Sequence, residues 1–255
     1  MTDTLPTERV LDYRVCTLPV AGLAAPIASM VDAADGKARH IACANPHSIE
    51  VARTDPVFKA ALQAADLLVP DGVGVIYASK FNGGEIRERV TGFDVFRLAC
   101  EAVAARQGKV MFLGSSEEVL AIIRDKMAAD YPAITVETHS PPYKPEFSAE
   151  DNAAMHAAVN AFRPDVLWVG MTAPKQEKWV EANRAQLDTK VIGSIGAVFD
   201  FYAGRIVRPS KVWRDMGLEW LPRLVGEPRR LWRRMFVSAP LFVGAVVKDK
   251  MAKRD

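Results

Sequence analysis

The chain has 255 residues, 49% hydrophobic and 25% charged, a balance ordinary for a globular enzyme and long enough for one large domain or two small ones. Its net charge of +2 is unevenly placed: residues 205–255 hold 13 Lys and Arg against 5 Asp and Glu, the preceding 204 residues 20 against 26. Three scattered cysteines (Cys16, Cys43, Cys100) exclude a disulfide framework, the N-terminus lacks an apolar signal region, and no stretch reaches the roughly 18–20 apolar residues of a membrane span. A cytoplasmic protein is expected, with its positive end turned towards a polyanion or an anionic surface.

In chain order, Arg39–Ala44 and Asp66–Pro70 read as short apolar strands in a first half whose signals are otherwise weak. From residue 109 the alternation is clear. Lys109–Gly114 is a strand ending in Gly, and Ser115-Ser-Glu-Glu118 reads as a capping box opening a helix to about Ala129. A β-branched strand from Ile134 leads into the turn-rich Ser140–Pro145, a helix from about Ser148 to Phe162, and the strand Asp165–Gly170. A helix from Pro174 to about Gln186 and the strand Lys190–Gly196 complete the series. Apolar strands alternating with helices predict an α/β, Rossmann-like parallel sheet covered on both faces. The expected division is an α/β catalytic domain over 1–204 and a basic, Trp-rich amphipathic appendage over 205–255.

Ligands of such folds sit at the carboxyl ends of the strands. That rule brings Asn45, Asp71, Gly114, the segment from Gly170 to Gln176 and the turn Gly193–Gly196 to one rim. Asp71, followed by Gly72 and Gly74, is a carboxylate at a strand end beside backbone able to approach a ligand closely, although Asp-Gly is also a common turn. A third glycine and a later acidic partner are missing, so a nicotinamide cofactor is not expected. Asn45 reads first as a helix cap and second as a ligand donor. Arg89 suits either an anion clamp or a solvated surface charge, and Asp94 a helix cap. Gln176 in a helix first turn offers a donor and an acceptor, as base recognition needs, or simply faces water. No Asp-x-Asp and no metal-ligand spacing occurs, so neither a metal nor another cofactor is expected.

Taken together these segments resemble the WecG/TagA/CpsF glycosyltransferases of bacterial surface-polymer synthesis. The resemblance is carried by Asn45-Pro46, Pro70-Asp71-Gly72-x-Gly74, Glu88-Arg89-Val-x-Gly92-x-Asp94, Phe112-Leu-Gly114 and Pro141-Pro142-Tyr143. Gly170-x-x-x-Pro174-x-Gln176-Glu177, Gly196-Ala-x-Phe-Asp200-x-x-x-Gly204, Gly217-Leu-Glu-Trp220 and Glu227-Pro228-x-Arg230 continue it. It implies inverting, metal-independent transfer of a sugar from a UDP-sugar to a polyprenyl-diphosphate-linked sugar at the inner membrane face. On that pattern Asp71 is the general base, and Gln176, Asp200 and the Gly193–Gly196 turn hold the nucleotide. Arg208, Arg214, Arg223 and Arg230 are the candidates to meet the diphosphate. The family commonly has Thr where this chain has Cys43, so no ligand role is carried onto that thiol.

Trp213, Trp220 and Trp232 among basic residues suit a lipid headgroup region. The rival readings are a UDP-sugar epimerase, which needs no lipid, and a non-catalytic basic membrane- or nucleic-acid-binding module; nothing in the tail resembles a nucleic-acid fold. Donor identity, linkage and oligomeric state are not legible in the sequence.

Overall fold

The computed structural model describes residues 5–205 and 232–252. It opens with a feature the sequence reading missed, an antiparallel hairpin of β1 (Thr7–Val10) and β2 (Tyr13–Cys16). Its two-residue turn places Leu11 at φ 54°, where Gly or Asn is the usual signal. There follow α1 (Ala24–Asp32), β3 (Arg39–Ala44), α2 (Pro46–Ala52), α3 (Pro56–Gln63) and β4 (Leu67–Pro70). Then come α4 (Val73–Asn82), α5 (Gly92–Ala104), β5 (Lys109–Gly114), α6 (Glu117–Asp130), β6 (Thr135–His139) and α7 (Ala149–Phe162). β7 (Val166–Gly170), α8 (Lys175–Asn183), β8 (Val191–Ser194), α9 (Gly196–Tyr202) and, beyond residue 231, α10 (Ala239–Ala252) complete the strands and α-helices among the described residues.

β3 to β8 form one parallel sheet in the order β4-β3-β8-β7-β5-β6, as the unalternated apolar strands predicted. Successive residues serve opposite layers. Ile41, Val110, Phe112, Val166 and Trp168 pack against α1, α5, α6 and α9. Ala42 and Leu68 face a cluster with α2, α3 and α4, while Met111, Leu113, Leu167 and Val169 face one with α7 and α8.

Phe96 of α5 anchors the first layer, its ring centroid 5.0 Å from Tyr202, 5.5 Å from Trp168 and 6.2 Å from Phe112. The bulk of Trp168 dictates its neighbour: a Cβ at Gly193 would lie 2.2 Å from the indole. Gly193 is therefore a packing glycine, buried in the sheet.

The helices begin where their caps allow. Asn45 accepts from Ser48 N at 2.9 Å and Ser48 answers in a capping box. Thr91 and Asp94 form another at α5, so Thr91 is the cap and Asp94 its partner. The predicted box at α6 is a simple Ser116 cap accepting from Val119 N.

The described part of the tail is packed on the body. Phe242 and Val246 of α10 are buried in the cluster with α2 and α4, and Ser238 Oγ lies 2.9 Å from His47 Nδ1. Lys250 donates to the Phe81 carbonyl of α4. Leu241, Val243, Val247 and Met251 remain exposed, beside the exposed Trp232 and Phe236. Over these residues the tail presents an apolar face, with its charges at Arg233 and Arg234 before α10 and at Lys248, Asp249 and Lys250 towards its end; the basic amphipathic pattern expected for 205–255 is not visible in them. Among the described residues no helix is long and apolar enough to cross a membrane.

Candidate active site

Because the strands run parallel, their carboxyl ends and the helix starts that follow them meet along one rim. Asp71 leaves β4 with its backbone N–H bonded to Ala44 O at 2.8 Å, which fixes the ends of β3 and β4 side by side. The Val90 N–H bonds Pro70 O at 3.0 Å and carries the Arg89 loop to the same point. Gly72 precedes α4 at φ 140°, a conformation only glycine adopts easily. A Cβ at Gly74 would stand 2.5 Å from the Pro46 ring, so this glycine lets α4 dock against the Asn45-Pro46 turn. Both glycines line the resulting cleft, but the work visible for Gly74 is packing.

The cleft has a volume of about 440 Å³. Asn45, Asp71, Gly72, Gly74, Arg89, Gln176, Gly196 and Asp200 all line it, so eight of the residues singled out from sequence converge. A second cavity of about 790 Å³ shares Thr172, Gly196 and Asp200 with it and receives Gly114, Ser116, Tyr143 and Lys175. Gly114, at φ 118°, is forced by the Gly170 carbonyl, 2.4 Å from where a Cβ would lie. Gly193 reaches neither cavity, because it sits beneath Trp168. Arg208, Arg214, Arg223 and Arg230 lie outside the described residues.

Gln176 is committed inward. Its Oε1 accepts from Gly196 N at 3.2 Å and its Nε2 donates to Glu177 Oε1 at 2.9 Å, joining the start of α8 to the start of α9. Gly196 must be glycine for this approach, since a Cβ there would meet Gln176 Oε1 at 2.6 Å. Both ends of the Gln176 amide thus bridge the two helix starts. Its neighbour Glu177, overlooked as a site residue, lines the cleft and is 4% exposed, with Oε2 lacking any hydrogen-bond partner. Burial raises its carboxyl to about 7, against a smaller opposing effect from the Gln176 hydrogen bond.

Cys43 shares this wall. Burial first, then the negative charges of Asp71, Glu177 and Asp94, hold its thiol well above its ordinary range, so it stays protonated and is no nucleophile. Thr172, a β-branched residue at φ 69°, marks strained backbone at the junction of the two cavities. Arg234, Met235 and Ala239 bring the tail to the cleft mouth, and Arg234 was not anticipated. No group of three or more His, Cys, Asp or Glu able to hold a metal ion occurs among the described residues.

The model of the Glycosyl transferase WecG/TagA/CpsF family matches residues 8–255. An N-acetylglucosaminyldiphosphoundecaprenol N-acetyl-beta-D-mannosaminyltransferase of Bacillus spizizenii is 31% identical, covering 85% of this chain and 81% of its own. Proteins of the same name from Bacillus subtilis and Staphylococcus aureus are 26% and 27% identical, over 84% and 82% of this chain and 81% and 80% of theirs.

Proposed function

The chain belongs to the WecG/TagA/CpsF glycosyltransferase family, and we propose that it transfers a hexose or N-acetylhexosamine-type sugar from a UDP-sugar to a polyprenyl-diphosphate-linked sugar, with inversion and without a metal. The observation that carries this reading is the convergence of Asp71, Arg89, Asn45 and Asp200 on one cleft at the carboxyl ends of β3, β4 and β8. In this mechanism Asp71 takes the proton of the acceptor hydroxyl. That oxygen attacks the anomeric carbon from the face opposite the nucleotide, and the sugar–phosphate bond breaks to release UDP. Positive partners for the leaving diphosphate are Arg89 and Arg234 at the cleft, joined by tail arginines among Arg208, Arg214, Arg223 and Arg230. The relatives' name makes UDP-N-acetylmannosamine the first donor to test, with a short-chain lipid-diphosphate-N-acetylglucosamine as acceptor.

The protein would work at the inner membrane face without spanning it. The exposed row Phe236, Leu241, Val243 and Val247 supports shallow insertion, with the basic tail supplying attraction to anionic lipid. The test is acceptor-dependent UDP release in EDTA, with the product anomer read by NMR. Release with a β-linked product from an α-linked donor supports the reading. Retention of configuration, a strict metal requirement, or conversion of the UDP-sugar without acceptor would each count against it, the last pointing to an epimerase.

A further inference from the structure

Glu177 presents a buried carboxyl whose second oxygen has no partner, a condition that native proteins seldom tolerate. Structural carboxylates in such positions are paired with cations, and the cations of its own helix are engaged elsewhere. Lys178 bonds Asp55 at 3.0 Å, and Lys175 donates to Lys144 O and lies over the Phe147 ring. Gln176 holds Oε1 at 2.9 Å, so the carboxyl of this cleft-lining residue is fixed, with Oε2 buried beside it. A diphosphate is the wrong occupant there, because Glu177, Asp71 and Asp94 together surround Cys43 with negative charge. A sugar is neutral and rich in hydroxyl donors, and matches an orphaned acceptor.

We propose that Glu177 is a specificity-determining residue, its Oε2 accepting a hydrogen bond from a hydroxyl or acetamido N–H of the transferred sugar while Gln176 holds Oε1. This rests on the UDP-sugar reading above and assigns Glu177 to the donor sugar, apart from the proton transfer at Asp71. Ligand binding then completes the hydrogen bonding of a site that the empty protein leaves unfinished.

The test is calorimetric titration of UDP and of UDP-N-acetylmannosamine, without acceptor, into the full chain and its Glu177→Gln and Glu177→Asp variants. Glu177→Gln is nearly isosteric and keeps an acceptor or donor for Gln176, and UDP affinity reports whether each variant has kept its fold. The sugar nucleotide should bind Glu177→Gln and Glu177→Asp about tenfold or more weakly, with UDP affinity changed less than about twofold. Equal affinity of wild type and both variants for UDP-N-acetylmannosamine would overturn the assignment, as would equal weakening of both nucleotides. Wild-type protein that binds neither nucleotide would defeat the UDP-sugar reading itself and this assignment with it.

Discussion

At the scale of single residues, the packing of Gly193 and the burial of Glu177 have measurable consequences. Asp71 and Asn45 stood out because a polar residue at a strand end is visible in the sequence. The duty of Gly193 was not, because it depends on Trp168 in the neighbouring strand. Gly193→Ala should destabilise by about 1–3 kcal/mol through overpacking, measured by urea unfolding. Glu177 looked like an ordinary polar first-turn residue, and only burial distinguishes it. Its carboxyl sits at about 7 in the folded chain against 4.5 ordinarily, so the native state binds the extra proton between those values. Stability should fall as pH rises from about 4.5 to about 7, by roughly 3 kcal/mol. The other charged residues lining the cleft are Asp71, Asp200, Arg89 and Arg234. Glu177→Gln should therefore raise Tm at pH 8 and leave it unchanged near pH 4; the same increment at both pH values would remove the carboxyl as the cause. His40 acts with the opposite sign. Its ring lies 2.8 Å from Ser194 Oγ, and burial holds it at about 3 against 6.5, so stability is lost as pH falls through that interval.

At the scale of elements, β5 and β3 were placed to the residue because continuous apolar runs bounded by Gly or Asn-Pro admit few alternatives. Helices α1, α3, α4 and α9 and the β1–β2 hairpin are not read from the sequence. The hairpin turns on Leu11-Asp12, which carries no turn signature, and is held by Val10, Tyr13 and Val15 packing into the cluster with α2 and α4. Tertiary burial there overrides local preference. The caps offer a direct check on element energetics. Thr91→Ala removes an acceptor at 3.3 Å from Asp94 N and a donor at 2.6 Å to its carboxylate. It should destabilise by about 1 kcal/mol in urea unfolding. Since α5 begins three residues after Arg89, the same change should weaken UDP binding if loop position matters, and a change in stability alone would limit the cap to a structural role.

For the whole molecule, the sheet gathers the cleft at one end, and the tail returns to its mouth through Arg234 before α10 packs on α2 and α4. The sequence disclosed the charge polarity of the tail but not this return, which depends on Phe242 and Val246 finding a surface far away in the chain. The apolar face left outside predicts a membrane phenotype. Leu241→Ser with Val247→Ser alters residues 49% and 40% exposed and should leave Tm nearly unchanged. The pair should reduce co-sedimentation with anionic vesicles several-fold, whereas unchanged sedimentation would remove this face from membrane contact. In the proposed transferase, the cleft binds both substrates and Asp71 is its base. The most direct test is acceptor-dependent UDP release by wild type and Asp71→Asn under the same donor and lipid acceptor, with UDP affinity measured on both. A fall in kcat of about 10²–10⁴-fold with UDP binding retained is the predicted result, and an unimpaired kcat in Asp71→Asn would contradict the account.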